Sequence, residues 1–549
     1  MCDLGGLDNL IANTAYLQAR KSTDAGVGGS KRRRSLALPG PAKCMEIRQL
    51  LHLSFASECE EQPIGRRLFH SFCNSVAEYS RALAFLDQVV ELELAEDNMQ
   101  NALLCKIVAD FLQPDSENSL SFLSDAMTSA ASGASEVDMK ELVPRAQQET
   151  RQFLMGKPFR EYLESPFFQR FLQWKALEQQ KITEKHFYEF RVLGKGGFGE
   201  VCAIQVKLTR KMHACKKLNK KSLKKKKGQK MALLEKEILE SVNSSMVVRL
   251  AYAFETKEHL CLVMTLMNGG DLKFHIYNVG KRGLSMDRVL FYTAQITCGL
   301  HHLHRLSIIY RDMKPENVLL DERGNCRLSD LGLAVVLRNA DDKITQRAGT
   351  NGYMSPEVIK EEPYSYDADW FALGCTIHEM ISGNTPFRNF HEQVSKEELR
   401  RRVLQDKVVF TKTAFTAEAQ DLCTQLLAKR ACDRLGSRNP NDDPRQHGFF
   451  HSINFQRLEA GLVSPPFVPD PDVVYAKDLC DIDEFSEVKG VELDEQDLKF
   501  HKEFATGCVP LTWQEEIIES GLFDDVESVQ HRASLPGNSE RRSGVCLIL

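Results

Sequence analysis

Apolar side chains recur every three to four residues through the first third of the chain. The spacing is clearest at six positions: Leu68, Phe72, Val76, Leu83, Leu86 and Val90. Such spacing places the side chains on one face of successive helices. The pattern breaks near residues 114–118 and resumes in a stretch rich in Phe, Leu and Trp that ends near Gln180. Residues 45–180 are therefore predicted to form an all-α bundle.

Two segments precede this bundle. Five apolar residues keep helical spacing near the N-terminus: Leu4, Leu7, Leu10, Ile11 and Leu17. They predict an amphipathic helix over residues 1–20, although Gly5 and Gly6 lower its helix propensity and a frayed terminus is the alternative. Residues 21–44 are rich in Gly, Ser and basic side chains, a composition typical of a flexible basic linker.

From residue 187 the pattern changes to short strands on either side of a glycine-rich run. Residues 190–193 and 201–206 are the two strands. The run contains Gly194, Lys195, Gly196, Gly197, Phe198 and Gly199, followed by Val201. Glycines let a backbone approach phosphates closely and point its amides at them. A dinucleotide-binding site would need a helix after the run, so the following strand favours a phosphate-binding hairpin.

The next strand contains a lysine suited to contact phosphates. Lys216 fills the last position of an apolar-Ala-x-Lys pattern, and Lys217 points to the other face because strand side chains alternate. An acidic partner is expected on the helix that follows. Glu235 and Glu237 are the two candidates.

The string Tyr-Arg-Asp-Met-Lys-Pro-Glu-Asn from residue 310, with Asp330-Leu331-Gly332 after it, supplies a set of chemical groups. Asp312, Lys314, Asn317 and Asp330 offer two carboxylates, a cation and an amide. Phosphoryl transfer needs a carboxylate to orient the attacking hydroxyl, a cation near the transferred phosphate and side chains that bind metal. In order and spacing the four resemble the catalytic and metal loops of protein kinases.

Downstream residues extend this resemblance. Residues 352–357 resemble the end of an activation segment, Asp369 resembles the acid that anchors the catalytic loop, and Arg434 is the usual partner of Glu357. The order of motifs over residues 187–450 implies a β-rich small lobe and a helical large lobe with ATP between them.

The kinase resemblance also assigns roles. It favours Glu235 over Glu237 as the partner of Lys216, which would position the phosphates. It implies Mg²⁺ at Asn317 and Asp330, catalysis by Asp312 and Lys314, and an adenine pocket backed by Met264, with Thr265 and Met267 at the hinge.

The whole chain resembles the G-protein-coupled receptor kinases of the AGC group. That resemblance rests on the N-terminal helix, the FFQRFLQWK ending of the helical domain, the FVPDP tail, Tyr310 and Leu331. It implies an α+β multidomain protein in which a bilobal kinase fold is joined to an all-α RGS-homology bundle. The segments are 1–20 (receptor-docking helix), 21–44 (linker), 45–180 (RGS homology), 187–450 (kinase), 451–515 (AGC extension) and 516–549 (tail).

The last four residues, Cys546-Leu547-Ile548-Leu549, form a prenylation box, and a terminal Leu favours geranylgeranyl. Within the family this indicates the visual branch of the cone-opsin type. The implied substrate is Ser/Thr in the cytoplasmic tail of light-activated opsin, and the implied result is receptor desensitisation. The expected location is the cytoplasmic face of photoreceptor outer-segment membranes. One prenyl chain binds weakly, so the lysines at 220, 221 and 224–227 are a candidate second contact with anionic lipid, with a solvated face as the alternative.

Composition excludes several other classes. The net charge of −5 gives no signature of nucleic-acid binding. The 16 cysteines show no metal-ligand or disulfide spacing and are expected to be reduced. No apolar run is long enough to span a bilayer, and the N-terminus does not resemble a secretory signal.

Two regulatory positions stand out. Ser35 follows three arginines in the linker and is a candidate site for basophilic kinases. Gln346 occupies the position where many AGC kinases have a phosphothreonine, and Thr345 is one residue away. Two other functions stay open: a kinase-fold scaffold without activity, and a Gα-binding RGS-like regulator. A calcium sensor is a further possible partner.

Overall fold

A computed structural model describes residues 4–24, 36, 38–339, 341–410, 414–475 and 490–534. Ser35, Cys546 and residues 481–488 of the predicted AGC extension lie outside these ranges. The chain divides into two compact units. One contains Met1–Ala25, Thr183–Val206 and Met212–Thr506, and the other contains Gly26–Ile182, Lys207–Lys211 and Gly507–Leu549. None of the described helices is both long enough and apolar enough to cross a membrane.

The second unit is helical, as the sequence predicted. Its N-terminal helices are α2 (Pro41–Leu50), α3 (Pro63–Cys73), α4 (Ala77–Leu94), α5 (Asp97–Ile107), α6 (Asp125–Ala131), α7 (Glu136–Met155), α8 (Lys157–Leu163) and α9 (Pro166–Glu178), with π-helical turns at Ala56–Glu61 and Val108–Leu112. Ser135 caps α7 and Ser165 caps α9 by accepting backbone N–H groups of the first turn. The aromatic ending of this region forms its core, where Tyr162, Phe168 and Phe171 have no exposed surface.

The C-terminal residues complete the same unit, which differs from the prediction. The apolar pattern of residues 511–522 predicts one helix, but two form: α20 (Pro510–Glu519) and α21 (Leu522–Ser534). Gly521 lies between them with φ +72°, a left-handed conformation that ends a helix. Gln514 on α20 donates a 2.8 Å hydrogen bond to Glu178 on α9. The predicted boundary between residues 515 and 516 therefore falls inside α20.

The first unit begins its kinase-like part with an antiparallel sheet. Its strands are β1 (Phe187–Gly196), β2 (Gly199–Val206), β3 (Met212–Asn219), β4 (Leu250–Glu255) and β5 (His259–Thr265). They pair in the order β1-β2-β3-β5-β4. Helices α10 (Lys220–Lys225) and α11 (Gln229–Ser241) follow β3. In the register of the sheet, Val201 and Leu262 are the neighbours of Lys216 on β2 and β5.

The larger, mainly helical part of this unit follows. Its helices are α12 (Leu272–Asn278), α13 (Met286–Arg305), α14 (Pro356–Ile359), α15 (Asp367–Ser382), α16 (Lys396–Gln405), α17 (Ala417–Leu426) and α18 (Phe455–Glu459), whereas α19 (Glu495–Phe504) packs on strand β4. Short strands are β6 (Ile308–Ile309), β7 (Val318–Leu320), β8 (Cys326–Leu328) and β9 (Val335–Val336), and the helical unit contains β10 (Gly507–Cys508). Helix α15 is buried along almost its whole length. It carries Asp369, which binds the backbone of the segment after β6.

The N-terminal helix packs on the small lobe of the first unit. It spans α1 (Leu4–Asp24) and ends four residues later than predicted, and α2 begins inside the predicted linker. Tyr16, 2% exposed, and Ala19 contact a cluster that includes Ala203 and Met212. Ile11, expected on the apolar docking face, is 58% exposed. Among the side chains of α1 that the structure describes, Tyr16 and Ala19 carry this contact.

Candidate active site

The catalytic segment after β6 is held by one buried carboxylate. Asp369, on α15 and 1% exposed, accepts the backbone N–H of Tyr310 at 2.9 Å and that of Arg311 at 2.8 Å. His304 Nε2 lies 2.9 Å from the same carboxylate. These bonds hold Arg311 at φ +68°, a conformation that a non-glycine residue adopts only when its surroundings impose it. The backbone that carries Asp312 is thereby fixed.

Both carboxylate oxygens of Asp312 already have donors. Lys314 Nζ lies 2.6 Å from Oδ2, and Asn317 Nδ2 donates to the same oxygen at 2.9 Å. Thr350 Oγ1 donates to Oδ1 at 2.7 Å and also accepts from Lys314 Nζ at 2.9 Å. Asp312 is 7% exposed. Thr350 was not among the predicted site residues, and its distance of 38 residues from Asp312 leaves no local signal for the contact.

Lys216 projects from β3 toward the carboxylates of α11 and the metal loop. Its Nζ lies 2.5 Å from Glu235 Oε1 and 3.6 Å from Asp330 Oδ1. Burial opposes the charge of Lys216, but the two carboxylates outweigh it and raise its pKa above the ordinary value. Glu237 is exposed, whereas Glu235 is 6% exposed. Lys217 points to the other face and pairs with Glu189 at 2.5 Å.

Asp330 and Asn317 offer oxygen ligands at the mouth of the site. The Asp330 side chain is 58% exposed and its φ is +52°, so its carboxylate faces away from the packed interior. Asn317 uses its Nδ2 for both bonds to Asp312, to the backbone oxygen and to Oδ2. A carboxylate and an amide oxygen are the donors that a hard divalent cation prefers. The residues present fit such an ion.

The glycine-rich loop joins β1 and β2 with open space around most of its glycines. A Cβ added at Gly194, Gly196 or Gly197 would meet nothing within 4 Å. At Gly199 it would lie 1.7 Å from the backbone oxygen of Lys217, so only glycine fits there. Lys195 is exposed at the same loop, and Val201 pairs with Lys216 across the sheet.

The predicted hinge residues follow along β5. Met264, Thr265 and Met267 are all half-buried. The Thr265 hydroxyl accepts the backbone N–H of Arg249 at 3.1 Å. This side chain therefore holds the backbone of the segment that contains Arg249. The Met264 backbone oxygen lies 3.3 Å from His213 Nδ1. Leu266, between the predicted residues, packs against the cluster of Tyr16, which connects α1 to the hinge.

Comparison with known proteins decides the family. The protein kinase domain family matches residues 187–447, and the regulator of G protein signaling domain family matches residues 54–171. Rhodopsin kinase grk7-a of Xenopus laevis is 59% identical over 552 residues, covering 100% of both chains. Rhodopsin kinase GRK7 of Ictidomys tridecemlineatus is 59% identical over 549 residues and that of Homo sapiens 58% over 554 residues, again with 100% of both chains covered.

The chain belongs to the rhodopsin kinase family. It is accordingly a protein kinase that uses ATP and a divalent metal ion, and the predicted fold class, a kinase fold joined to an RGS-homology bundle, is confirmed. The scaffold without activity, one of the two alternatives from the sequence, is not supported.

In this rhodopsin kinase family member, the activation segment contacts the catalytic loop without a phosphate. Arg311 Nη1 donates to Gln346 Oε1 at 3.2 Å, and Gln346 occupies the position where many AGC kinases have a phosphothreonine. The Gln346 backbone oxygen accepts the Tyr364 hydroxyl at 2.6 Å, and Thr345 is exposed. At the end of the segment, buried Arg434 lies 2.6 Å from Glu357 and holds its pKa below the usual range, although burial acts in the opposite direction.

Proposed function

We propose that this protein is a Ser/Thr kinase that transfers the γ-phosphate of ATP to the cytoplasmic tail of light-activated opsin. The observation that carries the proposal is the set of donors around Asp312, which is complete in the protein alone. The relatives that match over the full length are rhodopsin kinases. Phosphorylation of the receptor tail then leads to desensitisation in phototransduction.

Each residue of the site has a distinct role in this proposal. Asp312 orients the acceptor hydroxyl and takes up its proton, and Lys314 offsets charge on the transferred phosphoryl group. Lys216, held by Glu235, positions the α- and β-phosphates, while Gly194–Gly199 backbone amides face the phosphates. Asp330 and Asn317 hold Mg²⁺, which neutralises phosphate charge when bound. Met264, Thr265 and Met267 border the adenine.

The membrane and receptor contacts are part of the same proposal. Geranylgeranyl on Cys546 and the basic cluster attach the protein to the anionic cytoplasmic face of the photoreceptor outer segment. Helix α1 bridges the activated receptor to the small lobe. Phosphorylation of Ser35 adds negative charge to the linker segment that follows α1 in sequence and weakens that docking.

The helical unit supports a second candidate function. Residues 54–171 match the regulator of G protein signaling domain family, so binding of Gα is a separate proposal, and a calcium sensor stays a prediction from the sequence. Retention of the full-length protein on immobilised Gα, tested in GDP and transition-state forms, would support it. A chain with no retention in either form would contradict it.

The kinase proposal is tested on opsin membranes, bleached and dark, with ATP and Mg²⁺. Wild type is expected to phosphorylate bleached opsin strongly and dark opsin weakly. Lys216→Arg keeps the charge but changes the geometry toward Glu235 and is expected to remove both signals. Equal labelling of bleached and dark membranes, or full activity of Lys216→Arg, would contradict the proposal.

A further inference from the structure

The lysine run at residues 220–230 divides into residues committed to the protein and residues that are free. Lys220 is 5% exposed and its Nζ lies 2.7 Å from Glu255. Lys224 forms ion pairs with Asp494 at 2.7 Å and Asp497 at 2.6 Å. The charges of Lys220 and Lys224 are therefore neutralised by acidic partners in their own unit.

Four of the five remaining lysines form a set of exposed side chains that we name the basic face: Lys221, Lys225, Lys227 and Lys230. All four side chains are exposed. Among the residues that the structure describes, none of the four has an ion-pair partner, whereas Lys220 and Lys224 do. Four uncompensated positive charges within ten residues attract a polyanionic surface and not a single carboxylate.

Lys226 connects the basic face to the glycine-rich loop. Its Nζ donates to the backbone oxygen of Gly197 and lies 5.4 Å from the centre of the Phe198 ring. The same ring packs on Gly228, where an added Cβ would lie 2.6 Å from Phe198 Cε1. In sequence, Lys226 lies between Lys225 and Lys227 of the basic face. Ordering of these two lysines therefore also orders the contact of Lys226 with the glycine-rich loop.

We propose that the basic face binds the anionic headgroups of a bilayer, and that this binding tightens nucleotide binding through Lys226 and the glycine-rich loop. The occupant follows from the prenylation box, because one prenyl chain binds a membrane only marginally and a basic patch is the usual second contact. The site thus deepens the proposed membrane attachment and rests on it for the choice of occupant. When lipid orders the contact of Lys226 with Gly197 and Phe198, less entropy is lost as the loop closes over phosphates.

The binding test uses full-length, unprenylated protein with Cys546→Ser in every arm. Sedimentation with phosphatidylcholine vesicles is compared with sedimentation after 30% phosphatidylserine is added (about this fraction suffices to make the surface anionic). The triple variant Lys221→Ala, Lys225→Ala, Lys227→Ala is expected to bind the anionic vesicles at least about ten-fold more weakly. The matched control replaces three exposed lysines of the helical unit, Lys106, Lys140 and Lys157, by Ala and is expected to bind like wild type.

Equal losses in the two triple variants would show a general charge effect and overturn the site, as would binding of all proteins to both vesicle types alike. No arm contains opsin, so this failure is distinguishable from a failure of opsin phosphorylation.

The link to the loop is tested by the affinity for a fluorescent ATP analogue with and without anionic vesicles. Wild type is expected to bind the analogue about five-fold more tightly with the vesicles. Lys226→Met keeps the apolar stem over Phe198 but lacks the ammonium, so it is expected to bind vesicles and show no change in nucleotide affinity. A vesicle effect of equal size in wild type and Lys226→Met would overturn the role of Lys226, and no effect in wild type would overturn the coupling.

Discussion

In the catalytic loop both carboxylate oxygens of Asp312 already accept hydrogen bonds, whereas three glycines of the glycine-rich loop face open space. The first region is fixed by the buried Asp369 and by long-range contacts such as Thr350. The second is anchored at Gly199 and at Phe198, whose backbone oxygen accepts the N–H of Asn219 at 2.9 Å. The difference indicates that the groups for proton handling are preorganised, while the phosphate-binding loop keeps the freedom to fit the nucleotide.

The strongest test of the rigid region is Asp312→Asn. An amide cannot take up the hydroxyl proton, so the turnover rate is expected to fall about 10²–10⁴-fold. The measurement is steady-state phosphorylation of a soluble peptide, with circular dichroism to show that the variant is folded. A loss below ten-fold in a folded variant would exclude Asp312 as the group that handles the proton.

Thr350→Val tests whether the hydrogen bond from Thr350 to Asp312 contributes to the activity of the catalytic loop. The change keeps the shape but leaves Asp312 Oδ1 without its 2.7 Å donor. Loss of a hydrogen bond to a charged group costs about 1.5–3 kcal/mol. The phosphorylation rate is therefore expected to be about ten- to hundred-fold lower. Thr345→Val, at an exposed position of the same segment, is the control and is expected to act like wild type. Equal activity of the two variants would remove Thr350 from the site.

Two glycine substitutions separate the anchored and open parts of the flexible region. Gly199→Ala forces a Cβ against the Lys217 backbone oxygen and is expected to lower the free energy of unfolding by about 1–3 kcal/mol. Gly197→Ala has open space and is expected to change stability by less than about 0.5 kcal/mol while raising the KM for ATP. Urea denaturation and ATP titration give the two quantities, and the reverse order of stabilities would contradict the geometry.

The smallest expected effect concerns the stability contributed by Asp367, a carboxylate on α15. Burial and the neighbouring Glu357 carboxylate raise the pKa of Asp367 to about 6, and its Oδ2 is buried without a hydrogen-bond donor. Because the folded pKa lies above the ordinary value, the stability from this group is present at low pH and is lost as pH rises toward 6. Asp367→Asn is therefore expected to raise the free energy of unfolding by about 1 kcal/mol at pH 7.5 and by less at pH 4. The same gain at both pH values would contradict the shift.

The sequence places the predicted site residues in short motifs, but it did not predict the contacts that hold them. Lys216, Asp312, Asn317 and Asp330 occur within short local motifs, and the strand alternation separated Lys216 from Lys217. Thr350 could not be found in this way, because its contact with Asp312 depends on how the activation segment folds back.

The lysine run shows the same limit. Its members look equivalent in sequence, and only the packing of α19 shows that Lys224 is paired with Asp494 and Asp497. The two helices after residue 510 were missed for a different reason: Gly521 interrupts one apolar pattern with a left-handed turn.

The central claim is that the rigid region is complete without a phosphate on the activation segment, because Gln346 contacts Arg311 at 3.2 Å. The direct test assays bacterially expressed, phosphatase-treated protein on bleached opsin, alongside Thr345→Ala. The account predicts strong activity of both proteins on bleached opsin and no phosphate on Thr345. Activity that appears only after Thr345 is phosphorylated, and that Thr345→Ala lacks, would contradict it.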